Sequence, residues 1–82
     1  MFQILFTQRA IRDLTNINSD VKSRLASKLK EYATDPMQYA RKLIDPKIGT
    51  YRFRIGDYRV IFDIDKENIV VLRIGHRKDI YR

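Results

Sequence analysis

From Thr50 to Tyr81 apolar and charged residues alternate with a period of two, interrupted only by turn residues, a pattern that favours strands over helices. Tyr51 to Ile55 and Tyr58 to Ile64 flank Gly56-Asp57, a dipeptide suited to a tight hairpin. Asp65 to Asn68 turns the second strand back toward a third, Ile69 to Ile74. Three consecutive antiparallel strands are therefore expected.

Successive side chains of a strand point to opposite faces of its sheet. Tyr51, Phe53 and Ile55 then share a face with Val60, Phe62 and Ile64 and with Val70, Leu72 and Ile74. The opposite face receives Arg52, Arg54, Arg59, Asp63 and Arg73, so four arginines are expected together there. Gly75 permits a bulge that would reset the alternation, and periodicity leaves open whether His76 or Arg77 joins the cluster. An ordinary solvated face, with arginines paired to Asp57, Asp63 or Asp79, is the plainer reading of the same pattern.

The N-terminal half reads differently. Phe2, Ile4 and Phe6 alternate with Gln3, Leu5 and Thr7 as in a first strand. Thr7 is placed to cap a short helix carrying Ala10, Ile11, Leu14 and Ile17, and Asn18-Ser19 supplies a turn and a fresh cap. Val21, Leu25, Leu29 and Tyr32, with Ala26 and Ala33, give a second helix one apolar face, and Asp35-Pro36 ends it because the residue before proline is pushed out of helical geometry. Met37 to Ile48 reads as an irregular connector anchored by Leu43. The expected fold is α+β, in the order β-α-α-β-β-β. Two helices should cover one face of a small twisted, mainly antiparallel sheet and leave the other partly open.

A chain of 82 residues, 44% hydrophobic, has material for one modest core, so residues 1–82 are expected to form a single domain. Its net charge of +7, from 17 basic and 10 acidic residues, favours a polyanionic partner. The absence of cysteine removes disulfides and thiolate metal sites. Met1 to Thr7 alternate like a strand where a signal peptide would be charged and then apolar, which points to a cytoplasmic location with no membrane partner. With no P-loop, paired catalytic carboxylates, Ser-His-Asp grouping or zinc spacing, the expected cofactor and metal content is none.

The run Tyr51-Arg52-Phe53-Arg54-Ile55-Gly56-Asp57-Tyr58-Arg59-Val60-Ile61-Phe62, followed by Ile74-Gly75-His76-Arg77-Lys78-Asp79-Ile80-Tyr81, resembles the RelE/ParE toxin superfamily, its RelE-like branch in particular. The resemblance covers nearly the whole chain. It implies the toxin of a type II toxin–antitoxin pair, an endoribonuclease that cuts messenger RNA, commonly in the ribosomal A site, and is silenced by a cognate antitoxin. Operator DNA would be met only through the antitoxin complex. Arg59 and Arg77 match family arginines that hold the scissile phosphate, and Tyr81 matches a tyrosine that orients or stacks a base. Arg52 and Arg54 stand where some relatives carry lysines assigned to proton transfer, but arginine, with a pKa above about 12, keeps its proton. Arg41 stands where some relatives place a glutamate base.

Metal-free RNA cleavage uses the ribose 2′-OH as nucleophile and needs a base, an acid for the leaving 5′-oxygen, and cations around the phosphorane. Histidine suits either proton role near neutrality, and His76 is the single candidate. Arginine suits the phosphate because its planar guanidinium donates two parallel hydrogen bonds and stays charged when desolvated. The expected catalytic set is thus Arg52, Arg54, Arg59, His76, Arg77 and Tyr81. Further RNA contacts are expected from Lys22, Arg24, Lys28 and Lys30 on the second helix, from Lys42 and Lys47 in the connector, and from Arg73. Two other readings compete: a ParE-like inhibitor of DNA gyrase, and a basic module that binds RNA without cutting it.

Overall fold

The computed structural model describes residues 2–43 and 49–80, so the expectations for Lys47 and Tyr81 lie outside the described residues. Strand β1 (Gln3–Phe6) runs directly into helix α1 (Gln8–Thr15). Thr7 caps that helix as expected, its Oγ1 accepting from the Ala10 N–H at 3.2 Å and donating to the Val71 carbonyl at 3.0 Å. Asn18 caps α2 (Ser19–Tyr32) in the same way, its Oδ1 accepting from the Val21 N–H at 2.9 Å. A turn over Ala33 to Asp35 ends α2 ahead of Pro36.

Two elements occupy the expected irregular connector: a one-turn helix α3 (Pro36–Tyr39), opened by its proline, and a two-residue strand β2 (Arg41–Lys42). Each is too short to print a period on the sequence. Strands β3 (Tyr51–Ile55), β4 (Tyr58–Asp65) and β5 (Asn68–His76) follow, as the alternation predicts. The five strands lie in the order β1-β5-β4-β3-β2, with β1 parallel to β5 and every other pairing antiparallel.

Helices α1 and α2 cover one face. Ala10, Leu25 and Leu29 meet Phe53, Phe62, Val60, Ile69, Val71 and Ile74 in a single buried cluster. Phe53 and Phe62 stack at its centre with ring centroids 4.2 Å apart. No helix among the described residues is long and apolar enough to cross a membrane.

The phase of β5 differs from the expectation. Ile69, Val71 and Ile74 are buried with the helices, where Val70, Leu72 and Ile74 were predicted together. The cause is a register shift: Ile61 faces Arg73 but Phe62 faces Val71, so Leu72 is an extra residue and the alternation slips by one. The bulge lies at Leu72 and leaves Gly75 in regular pairing with Arg59. Phe6 and Ile11 were predicted among the apolar faces but stand 40% and 51% exposed: Phe6 lies on β1, which has a strand neighbour on one side alone, and Ile11 lies on the outward side of α1.

The second face is less open than expected. Ile61 is fully buried there, and Gly49 crosses above it. A Cβ built on Gly49 would lie 2.5 Å from Ile61 Cγ2 and 3.0 Å from Leu72 Cδ1, and the β-branched Ile61 has little freedom to yield. Gly49→Ala is therefore expected to destabilise the fold by about 1–3 kcal/mol, the usual range for overpacking, read as a lower midpoint in urea unfolding.

Candidate nucleic-acid interface

The hairpin ladder sets the arginines in rows. Arg41 lies opposite Arg52 across β2 and β3, and Arg54 lies opposite Arg59 across β3 and β4. Residues directly opposite in an antiparallel pair project to the same face, so two like-charged pairs stand side by side on the outer sheet face. Like charges directly opposite one another repel, and the two pairs concentrate positive charge on that face. Asp63, on the same face, directs its Oδ1 to the Thr50 N–H at 2.7 Å.

Arg59 is not an exposed surface cation as the simple alternation implied. It is 4% exposed, and its Nη1 donates to the carbonyls of Gly56 at 3.1 Å and Tyr58 at 3.0 Å. The tail accounts for this burial. After β5 the chain turns at His76, whose carbonyl accepts from the Asp79 and Ile80 N–H groups, and Ile80 folds back to within 3.5 Å of the Cβ position at Gly75, the residue opposite Arg59. Arg77 meets the same hairpin tip from outside. Its N–H donates to the Asp57 carbonyl at 2.8 Å, and its Nε stands 3.8 Å from Asp57 Oδ1 with both side chains more than half exposed. Arg59 and Arg77 thus converge on the Gly56-Asp57 turn, where Gly56 takes the positive φ of 59° that only glycine accepts easily.

The structure corrects the expectation for Arg73 and decides one that periodicity left open. Arg73 does not lie free on the outer face. Beyond Phe6 the edge of β5 has no strand partner, and Asp13 of α1 fills the gap, its Oδ2 accepting from the Ile74 N–H at 2.9 Å and from Arg73 Nε at 2.8 Å. That half-buried pair ties α1 to the sheet. His76, whose face periodicity left open, pairs with Tyr58 and so lies on the helix side, away from Arg52 and Arg54. Its ring meets the Tyr58 ring edge-on at 5.6 Å, and its Nδ1 accepts from the Lys78 N–H at 3.2 Å. It lines a cleft of about 220 Å³ with Asp13, Asn16, Tyr58, Arg73 and Asp79.

The other predicted contacts are dispersed. Lys22, Arg24, Lys28 and Lys30 are exposed on α2, across the sheet from the arginine rows, and Lys28 pairs with Glu31 at 3.3 Å. Lys42, opposite Tyr51, points away from the face that carries Arg41 and Arg52. Sequence reasoning gave no binding role to Gln38, Tyr39 or Arg41, which line a cleft with Arg52 and Arg54. Among the described residues no three His, Cys, Asp or Glu side chains gather as a metal site would require.

Comparison with known proteins places this arrangement. The chain is 33% identical to the toxin RelG of Mycobacterium tuberculosis, the match covering 99% of this chain and 97% of that protein. It is 28% identical to the toxin RelE3 of Methanocaldococcus jannaschii, over 96% of this chain and 94% of the relative. Its fold superposes on the RelBE2 toxin–antitoxin complex of Mycobacterium tuberculosis with a TM-score of 0.76, at 28% identity and covering 93% of this chain and 98% of that one. The RelB–RelE antitoxin–toxin complex of Methanococcus jannaschii shares the fold at a TM-score of 0.73 and 23% identity, with 94% of each chain covered. Residues 4–81 match the family described as the ParE toxin of type II toxin–antitoxin system, parDE, and the chain therefore belongs to that family of toxins within the RelE/ParE superfamily.

Proposed function

We infer that this toxin is an endoribonuclease that cuts messenger RNA in the ribosomal A site without a metal. The observation that carries the reading is the adjacent pair of like-charged rows, Arg41–Arg52 and Arg54–Arg59, on one sheet face. Guanidiniums gathered on one sheet face suit a phosphodiester, whose oxygens accept their paired hydrogen bonds.

In the reaction the ribose 2′-oxygen attacks the adjacent phosphorus as its proton departs, the bond to the 5′-oxygen breaks as that oxygen is protonated, and a cyclic phosphate remains. Negative charge grows on the non-bridging oxygens at the phosphorane. Arg52, Arg54, Arg59 and Arg77 are the groups assigned to that charge. Preorganised donors of this sort account for about 10²–10³ in rate each. Arg59 suits the part because two carbonyl bonds fix its guanidinium before substrate arrives. Tyr81 is assigned base stacking by the family resemblance. His76 lies on the other side of the sheet, and its bond from Lys78 favours a positioning role: it holds the turn that carries Arg77.

Silencing by a cognate antitoxin belongs to the same reading, because both superposed structures are toxin–antitoxin complexes. Phe6, Leu14, Leu25, Ala26 and Leu29 line an apolar groove of about 280 Å³ suited to a helical antitoxin segment. Ribosome and messenger RNA are the working partners in the cytoplasm, and operator DNA is met through the antitoxin complex.

Primer extension on a translated messenger RNA, with and without ribosomes, tests the reading. Cuts are expected with ribosomes alone, lost in Arg77→Ala and kept in His76→Gln. Loss in His76→Gln with the fold intact would return the proton role to His76. The family description favours one second reading, gyrase poisoning: intact RNA together with blocked DNA supercoiling would establish it. RNA affinity that falls steeply with salt, without scission, would instead mark a binding module.

A further inference from the structure

Between α3 and the edge of β3 lies a cleft of about 310 Å³ lined by Tyr32, Gln38, Tyr39, Arg41, Arg52 and Arg54. One side is cationic: Arg41 stands opposite Arg52, and Arg54 lies two residues further along the same face. Arg41 and Arg54 are exposed, and neither forms an ion pair among the described residues. The other side is an aromatic column. Tyr39 stacks on Tyr32 at 4.2 Å and 16°, and Tyr32 meets Phe53 at a tilt of 56° with centroids 5.1 Å apart.

The backbone adds a third feature. The Leu43 N–H donates to the Thr50 carbonyl, so by the alternation of an antiparallel ladder the backbone groups of Thr50, Arg52 and Arg54 point toward β2. Strand β2 begins at Arg41, opposite Arg52, which leaves the Arg54 N–H and C=O on a stretch of edge with no strand beside it.

Guanidiniums, a stacked ring and the Arg54 backbone edge, with no strand beside it among the described residues, match a ligand with an anionic backbone and a flat base, the combination of single-stranded nucleic acid. An acidic peptide would satisfy the arginines and leave the aromatic column without a purpose. We propose that this cleft is a nucleotide subsite of the RNA path, next to the phosphate clamp. A base extends the Tyr32–Tyr39 stack, its phosphate meets Arg41 and Arg54, and the Gln38 amide, both donor and acceptor, meets the base edge. The subsite rests on the reading that RNA is the substrate, and it assigns recognition to three residues, Gln38, Tyr39 and Arg41, that carry no part in the cleavage step.

The test is fluorescence anisotropy of the full chain with a labelled hexanucleotide of 2′-O-methyl RNA, which cannot be cut because the attacking hydroxyl is blocked. Tyr39→Leu is expected to weaken binding about tenfold with no change in salt dependence, since stacking carries no charge. Arg41→Gln is expected to weaken binding and to reduce the slope of log affinity against log salt by about 0.7, one phosphate contact on a single strand. Tyr39→Phe keeps the ring and should bind like wild type, as should Arg12→Gln, which removes the same charge from α1. Arg41 is exposed, so its variant keeps the fold even where Tyr39→Leu does not. If wild type binds and both Tyr39→Leu and Arg41→Gln match it in affinity and salt slope, the subsite is overturned while the arginine clamp stands. If wild type binds no hexanucleotide, the subsite is overturned, and the ribonuclease reading is decided separately by primer extension on ribosomes.

Discussion

Arg59→Lys is expected to lower single-turnover cleavage of ribosome-bound messenger RNA by about 10²–10³-fold, equivalent to about 3–4 kcal/mol of transition-state stabilisation. The reason is geometric. The guanidinium uses Nη1 to bridge two carbonyls at the hairpin tip, and this contact fixes its plane for whatever else it donates to. A lysine ammonium is a single point of charge on a flexible stem, unable to hold the turn and present a planar fork together. Charge is conserved in the substitution, so a loss of rate reports donor geometry. Cleavage at the wild-type rate in Arg59→Lys would remove Arg59 from the clamp.

Phe62→Ala is expected to cost about 3–5 kcal/mol, measured by urea or thermal unfolding. Phe62 is fully buried on β4, stacked on Phe53 at 4.2 Å and near Tyr51 at 5.7 Å. Small domains hold about 5–15 kcal/mol in total, so this one ring accounts for a large share of the stability of an 82-residue chain. Neighbouring side chains that hold the pocket open make the cost larger, since a cavity adds to the lost transfer energy. A loss below about 1 kcal/mol would mean that the sheet and helices close over the gap.

What the sequence made legible follows from how each element advertises itself. The hairpin of β3 and β4 carries five and eight residues of alternation around a glycine turn, and the structure reproduces it, as it does the caps at Thr7 and Asn18. The short elements α3 and β2 are made by their neighbours: β2 exists because β3 offers it an edge, and four or two residues carry no period of their own. The bulge at Leu72 was hidden for a related reason. Val70, Leu72 and Ile74 alternate as well as Val71 and Ile69 do, and the tertiary fit of Phe62 against Val71 chooses between them. At the site, strand parity placed Arg52 and Arg54 on a common face, but the burial of Arg59 under the returning tail and the capture of Arg73 by Asp13 depend on contacts between residues distant in sequence. With Gly75 in regular pairing opposite Arg59, His76 falls on the side of Tyr58.

The parallel pairing of β1 with β5 joins Gln3 to Asn68 and Phe6 to Val71, residues far apart in sequence. During synthesis the helices emerge long before the strand that completes their core, and β1 waits for β5 to follow. Contacts of such separation form late and slowly. The helix-side core and the cover over Arg59 close only when the last strand and its turn have left the ribosome, so a truncated or still-tethered chain carries the arginines without the surface that organises them. The core of this toxin therefore closes only after β5 and the turn behind it have been made.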